Sequence, residues 1–327
     1  MIKRFSSLAV RSMAFARFVT LLEKFDHERS NVLHVLTYHR VDELGAHPEL
    51  YPGLISARPP DFSEQMAYLA RCCRVVSIDE ALAAADGGPE LPPRSVLVTF
   101  DDAYVDFAQH AWPILKRHSL PVTLFVPTAF PDNPEMTFWW DRLHEALHNA
   151  TVEAVETPLG RLSLASSARR SSTCRRLRQH IKTLPHAEAM ALVDEVAGQV
   201  GAKKPINRVL SWDALRQLAG EGVALGAHTR THPLLDRIDA DEIRAELIGS
   251  LADLRREIGQ SRPIFAYPSG HVGDRAPEIL REEGIRLAFT TQRGVNDLAR
   301  CEPLRLHRIN VGRQTNVALL RAQLVSW

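Results

Sequence analysis

The sequence predicts an α/β protein built on a parallel sheet or barrel, and two observations carry that prediction. Short apolar runs rich in β-branched residues recur along the chain, and segments with helical spacing of their apolar residues separate them. A third observation, a break in this rhythm between about residues 136 and 207, predicts a mainly helical insertion rather than a further strand and helix repeat.

Taken in order, residues 1–30 read as an N-terminal helical segment. Its apolar residues Phe5, Leu8, Phe15, Val19 and Leu22 are interrupted by Arg11 and Arg17, so no signal-peptide core forms. It is either a helix docked on the domain or one lying on a membrane surface with Lys3 and Arg4. From residue 31 to 327 a single catalytic domain is expected. Its strands are Val32 to Tyr38, Val96 to Phe100, Val122 to Val126, Val223 to Ala227, Ile264 to Tyr267 and Leu287 to Thr290. Asp61 to Cys72 and Tyr104 to His118 read as helices, the second strained by Pro113. Ile243, Leu247, Leu251, Leu254 and Ile258 mark the buried stripe of another.

Composition narrows the function classes. With 45% hydrophobic and 24% charged residues in 327, the chain is an ordinary globular protein, not a disordered one. Lys+Arg 40 against Asp+Glu 39 leaves no global field to attract nucleic acid. The balance hides a local excess: seven cations and no acid lie between residues 161 and 182, either a solvated helix face or a grip on an anionic lipid, polymer or pyrophosphate. Four irregularly spaced cysteines suit a reducing compartment. The expected location is therefore cytoplasmic, peripheral at the inner membrane only on the reading that lays the N-terminal segment on a membrane surface. No run approaches the length needed to span a bilayer.

Two His-x-x-x-His pairs compete as metal ligands, and with 14 histidines about 0.6 such pairs are expected by chance. His144-Glu145-Ala146-Leu147-His148 matches the zinc-peptidase pattern, but Asn149, Ala150 and Thr151 supply no third ligand. The other pair, His228 and His232, directly follows a strand. In parallel α/β folds functional groups collect in such strand-end loops. Val96 to Phe100 likewise ends in Asp101-Asp102, an adjacent carboxylate pair that a divalent cation would compensate. Two imidazoles and one carboxylate leave a coordination position open, as catalytic zinc sites do, and the second carboxylate is free to act as a base.

The motifs Thr99-Phe100-Asp101-Asp102, His228-Thr229-Arg230-Thr231-His232-Pro233 and Phe265-Ala266-Tyr267-Pro268-Ser269-Gly270 resemble those of polysaccharide deacetylases, the NodB-homology class or carbohydrate esterase family 4. The resemblance extends from Leu36-Thr37-Tyr38-His39-Arg40-Val41 through Ser211-Trp212-Asp213 to Leu306-His307-Arg308-Ile309, and Phe138-Trp139-Trp140-Asp141 is similar to larger members. It implies a distorted (β/α) barrel and metal-dependent removal of N-acetyl groups from the amino sugars of a polysaccharide or lipid-linked glycan. It further implies Asp101 as base, Asp102, His228 and His232 as ligands of a divalent metal, zinc first among them, and His307 as the acid. His39, Tyr267, Ser269 and Arg308 are expected to line the substrate site, with the Ser269 N–H as an oxyanion donor.

Several residues depart from the family pattern. Ala103 stands in place of glycine, Ala266 in place of the arginine that orients the base, and Ser269 in place of an aromatic residue; Ala288-Phe289-Thr290-Thr291 lacks the usual fourth motif. On this reading the arginine's role passes to Arg308. The departures also suit a glycan-binding protein of the same fold that has lost catalysis.

Overall fold

The six strands at Val32–Tyr38, Ser95–Phe100, Thr123–Val126, Ala224–Ala227, Ile264–Ala266 and Leu287–Phe289 coincide with the six apolar runs, each within one residue of its expected ends. They belong to a computed structural model that describes residues 29–203 and 205–325, so most of the expected N-terminal helical segment lies outside the described residues. The strands are parallel and follow one another across the sheet in the order 287–289, 264–266, 224–227, 123–126, 95–100, 32–38.

The sheet curls until its two edges meet a common neighbour. Phe289 bridges to Leu306 and Leu36 pairs with Ile309, both in parallel, so residues 306–310 stand between the last strand and the first. This is the distorted barrel the resemblance implied, with six strands and a closing stretch in place of the eight strands of a regular barrel.

Side-chain alternation sorts each strand into an inner and an outer face. Leu33, Val35, Leu97, Phe125, Ala266 and Leu306 pack together inside the barrel. Leu36, Val98, Leu124, Leu225, Phe265 and Tyr267 face outward into the layer of helices. Gly226 is inward-facing, and a Cβ there would lie 2.6 Å from the Phe125 ring, so only glycine leaves room for that ring.

Among the helices, Ala240–Ile258 buries Ile243, Leu247, Leu251 and Leu254 as its spacing requires; Asp239 and Glu242 form a capping box, and Gly259 ends it at φ 80°. The strain expected at Pro113 is relieved by a change of helix type. Residues Phe107–Ala111 form a π-turn, the Trp112 N–H reaches back to Phe107 O, and the α-helix Trp112–Arg117 restarts with proline in its first turn. Between the Thr123–Val126 and Ala224–Ala227 strands lie helices Trp139–His148, Ser167–Ile181 and His186–Gln199 and a two-stranded ribbon, Ala154–Val155 with Leu162–Ser163. Leu143, Leu147, Leu177, Ile181, Val193 and Val196 join these helices to the main outer core. No helix among the described residues is long and apolar enough to cross a membrane.

Candidate active site

Inner-face alternation carries the strand ends into one mouth. Leu97, Thr99 and Asp101 point the same way along one strand and its end, Leu306 and Arg308 along the closing stretch. Asp101 and Arg308 therefore meet, in a buried two-pronged ion pair: Nη1 donates to Oδ1 at 2.9 Å and Nη2 to Oδ2 at 2.7 Å. The third guanidinium nitrogen, Nε, donates to Thr290 O at 2.7 Å. Burial drives the Asp101 carboxyl upward, but Arg308 and His228 outweigh it and hold it below the ordinary aspartate value. The geometry has a guanidinium facing Asp101 even though Ala266 carries none.

Asp102 sits at φ 71° and Ala103 at φ 52°, two consecutive left-handed residues that turn the chain sharply at the strand end. That conformation accounts for the glycine usual at the position of Ala103. Thr229, His232 and Ser269 also have positive φ, so five of the nine such non-glycine residues described belong to these strand-end loops.

The sharp turns bring Asp102, His228 and His232 together. Asp102 Oδ1 lies 3.5 Å from His228 Nε2 and 3.3 Å from His232 Nε2, and no hydrogen-bond donor satisfies that buried oxygen. Ligand atoms about 2.0–2.2 Å from a tetrahedral zinc are about 3.3–3.6 Å apart, so the spacing suits one small divalent cation. His228 Nδ1 lies 2.7 Å from Ala266 O, which fixes the ring with its Nε2 lone pair toward Asp102. Burial pushes the Asp102 carboxyl up, yet the two imidazoles beside it bring it far below its ordinary value, so it is anionic. Among the described residues this trio is the one group of three or more His, Cys, Asp and Glu whose ligand atoms converge closely enough for an ion.

The loop 228–232 is pinned from behind. Glu246 accepts from the N–H groups of Arg230 and Thr231 at 2.6 and 2.9 Å and from Thr231 Oγ1 at 2.6 Å. His232 is clasped edge-on by Phe138 and Trp140, with ring centroids 5.5 and 5.0 Å away. Trp140 Nε1 donates to Tyr104 Oη at 3.0 Å, and Tyr104 donates to Asp141 at 2.6 Å. Burial lifts the Asp141 carboxyl to about 7. Glu246 and the Tyr104–Asp141 pair were not foreseen from the sequence; only the cluster Phe138-Trp139-Trp140-Asp141 hinted at the second.

The remaining predicted residues divide. His39 ends the Val32–Tyr38 strand on its inner face and, with Ser56, Asn310 and Arg313, borders a groove of about 500 Å³. Ser269 lies in the tight turn Pro268–Gly270 after the Ile264–Ala266 strand, where its Oγ accepts from Lys182 Nζ at 3.2 Å.

Tyr267 and His307 are not brought to the mouth. Tyr267 has outward parity, packs against Phe265, and donates its hydroxyl to Leu304 O at 2.9 Å. His307 alternates with Arg308 and so faces outward, its ring lying against Gly294, where a Cβ would fall 2.2 Å from Nδ1. The peptidase alternative also lacks a site among the described residues: His144 and His148 stack on each other at 5.4 Å, His144 Nε2 lies 3.1 Å from Pro48 O, and no described residue joins them as a third ligand.

A curled barrel with an arginine-bound aspartate beside an Asp-His-His cluster defines a class, and comparison supplies its name. Residues 88–288, more than half of the chain, match the polysaccharide deacetylase family, and the chain belongs to it. It is 24% identical over 274 residues to the poly-β-1,6-N-acetyl-D-glucosamine N-deacetylase of Escherichia coli K12, a match covering 82% of this chain and 35% of that protein. The chain thus spans about a third of the length of that relative.

Two solved structures share the fold. The Streptococcus pyogenes deacetylase PplD, in complex with acetate, has a TM-score of 0.62 at 20% identity, covering 90% of this chain and 98% of its own. IcaB from Ammonifex degensii gives 0.59 at 19%, covering 90% and 97%.

Proposed function

We propose that this protein is a metal-dependent N-deacetylase that hydrolyses the acetamido group of an amino sugar in a polysaccharide or lipid-linked glycan. One observation carries the reading: an aspartate held ionised and oriented by a two-pronged arginine stands beside an unsatisfied Asp-His-His donor set. Asp102, His228 and His232 would hold the cation, zinc being the natural choice for His2Asp. When bound, the cation lowers the pKa of water and polarises the amide carbonyl.

Arg308 prevents Asp101 from rotating and keeps it a carboxylate, so Asp101 accepts the proton of the attacking water. The backbone N–H of Ser269, on the tight turn after the Ile264–Ala266 strand, would donate to the oxygen that becomes anionic as the carbonyl carbon turns tetrahedral. The C–N bond then breaks, releasing acetate and an amine that needs a proton. With His307 facing away, Asp101 returns the proton it took, acting first as base and then as acid.

The test is acetate release from N-acetylated oligosaccharides, with and without chelator, by the wild-type protein and Asp101→Asn. The expected result is chelator-sensitive release that Asp101→Asn abolishes while the protein stays folded, its melting temperature falling by no more than the about 6–10 °C that loss of one partner of a buried ion pair costs. Release that survives chelation overturns the metal mechanism. Ligand binding with no acetate under any divalent ion overturns the enzymatic reading in favour of a binding protein.

A further inference from the structure

The basic run at 161–182 resolves into different roles. Arg161 leans on Glu156 at 3.8 Å, Arg170 is tied to His148 O at 2.8 Å and Leu164 O at 3.0 Å, and Arg169, Arg175 and Arg176 lie on the surface. Arg178 and Lys182 differ from all of these. They lie four residues apart, on the side of helix Ser167–Ile181 that also buries Cys174, Leu177 and Ile181.

Lys182 extends to the barrel mouth. It donates to Ser269 Oγ at 3.2 Å and borders a small cavity with Trp139 and with His232, a member of the Asp102-His228-His232 cluster. Arg178 stands one helical turn back, its guanidinium 3.7 Å above the Tyr51 ring, and its buried Nε has no hydrogen-bond partner. Burial and the charge of Arg178 lower the Lys182 pKa, while Asp102 raises it, so the two cations sense each other at close range.

Neither cation forms an ion pair with a carboxylate among the described residues, whereas Arg208, Arg216, Arg244, Arg256 and Arg262 are all paired. Two half-desolvated cations held together are unfavourable unless an anion completes them. Both are also ordered in advance, one by stacking and one by Ser269, as a binding site requires.

We propose that Arg178 and Lys182 form a subsite for an oxyanion, phosphate or carboxylate, borne by the sugar next to the one whose acetamido group lies over Asp102, His228 and His232. The substrate class is then an anionic glycan. This rests on the deacetylase reading for the position of the acetamido group, but the anion site is testable by binding alone.

The experiment is calorimetric titration of N,N′-diacetylchitobiose, its 1-phosphate, and a disaccharide of N-acetylglucosamine with glucuronic acid. The proteins are the full chain and its Arg178→Gln, Lys182→Gln and doubly substituted variants, each checked for an unchanged melting temperature. A desolvated charge contact is worth about tenfold in affinity. At low salt the wild type is expected to bind at least one charged disaccharide about tenfold or more tightly than the neutral one. The charged-to-neutral ratio should fall to about two or less in the double variant and decline with added salt. Whichever of the phosphate and uronate arms shows the larger ratio identifies the oxyanion.

Equal affinities in the wild type, or a ratio unchanged by both substitutions, overturn the subsite. So does failure of both charged ligands to bind. Selective binding of charged ligands without acetate release would instead overturn the deacetylase reading and leave the anion site standing.

Discussion

Replacing Arg308 by methionine removes one half of a fully buried ion pair while keeping most of the side-chain volume. The carboxylate left behind has no exposed edge: Asp101 is 2% accessible and Arg308 0%. Breaking such a pair costs about 3–5 kcal/mol, because a charge remains buried without its partner. At about 2 °C per kcal/mol for a chain of this size, the melting temperature should fall by about 6–10 °C.

The pH dependence gives the sharper test, done with chelator present so that no cation stabilises Asp101. In the wild type the folded-state pKa of Asp101 is held below its ordinary value. Its stabilising contribution is thus complete above about pH 4 and is lost as pH falls through the lower folded value. In Arg308→Met, burial acts without its chief opponent and the folded-state pKa rises. The contribution then has the opposite sense: present below about pH 4 and lost as pH rises. Denaturant midpoints at pH 5 and pH 8 should show a gap between the two proteins that widens toward pH 8. Arg308→Lys, which keeps charge but not the fork, should narrow that gap. A gap that is constant with pH, or below about 1 kcal/mol at pH 8, would refute the claim that Arg308 holds Asp101 ionised.

Three further outcomes follow from the same geometry. His307→Gln should change acetate release by less than about twofold, whereas loss of a true general acid costs about 100-fold or more; steady-state kinetics distinguishes the two. Gly270→Ala forces a Cβ onto a residue at φ 73° and to 2.4 Å from the Thr291 backbone nitrogen, so it should cost more than about 1 kcal/mol in thermal unfolding and depress turnover by moving Ser269. Arg40→Met strips the shared guanidinium from buried Asp42 and Asp106 and should cost about 3–5 kcal/mol near neutral pH. Asp106 is already pushed up to about 6 by burial, so its contribution is present below about pH 4 and lost as pH rises through 6. Arg40→Met should therefore regain part of its lost stability at pH 5, and urea midpoints equally reduced at pH 5 and pH 8 would contradict this.

What the sequence disclosed follows from which interactions are local. Parallel strands buried on both faces are continuous apolar runs, so their ends were readable within one residue, and groups directly after them, Asp101 and His228, could be placed at the mouth. The parity that turns Tyr267 and His307 outward was equally local, but it becomes usable only once Ala266 and Leu306 are known to face inward. The choice between the two His-x-x-x-His pairs shows the limit of spacing. On the helix, His144 and His148 stack, and among the described residues they belong to no convergent group of three ligands. At 228–232, left-handed Thr229 and His232 fold a non-helical loop until both Nε2 atoms meet Asp102. Glu246 carried no motif, and the basic run and the Phe138-Trp139-Trp140-Asp141 cluster did not disclose the contacts of Lys182 and of the Tyr104–Asp141 pair, because these depend on how distant segments pack.

Arg308 was legible from its motif, but its contact with Asp101 depends on packing between distant segments and ties that ion pair to closure of the fold. It lies on the stretch 306–310 that bridges Leu287–Phe289 and Val32–Tyr38, so the segment completing the ring also delivers the guanidinium to Asp101. A guanidinium placed at Ala266 would depend on one strand of the preformed sheet. Placed at 308, it arrives only when the last and first strands share a neighbour, 207 residues after Asp101 in the chain. The buried carboxylate is thus stabilised by the contact that closes the barrel, and any lesion that opens the seam between residues 289 and 306 removes the counterion of Asp101 without touching the cluster of Asp102, His228 and His232.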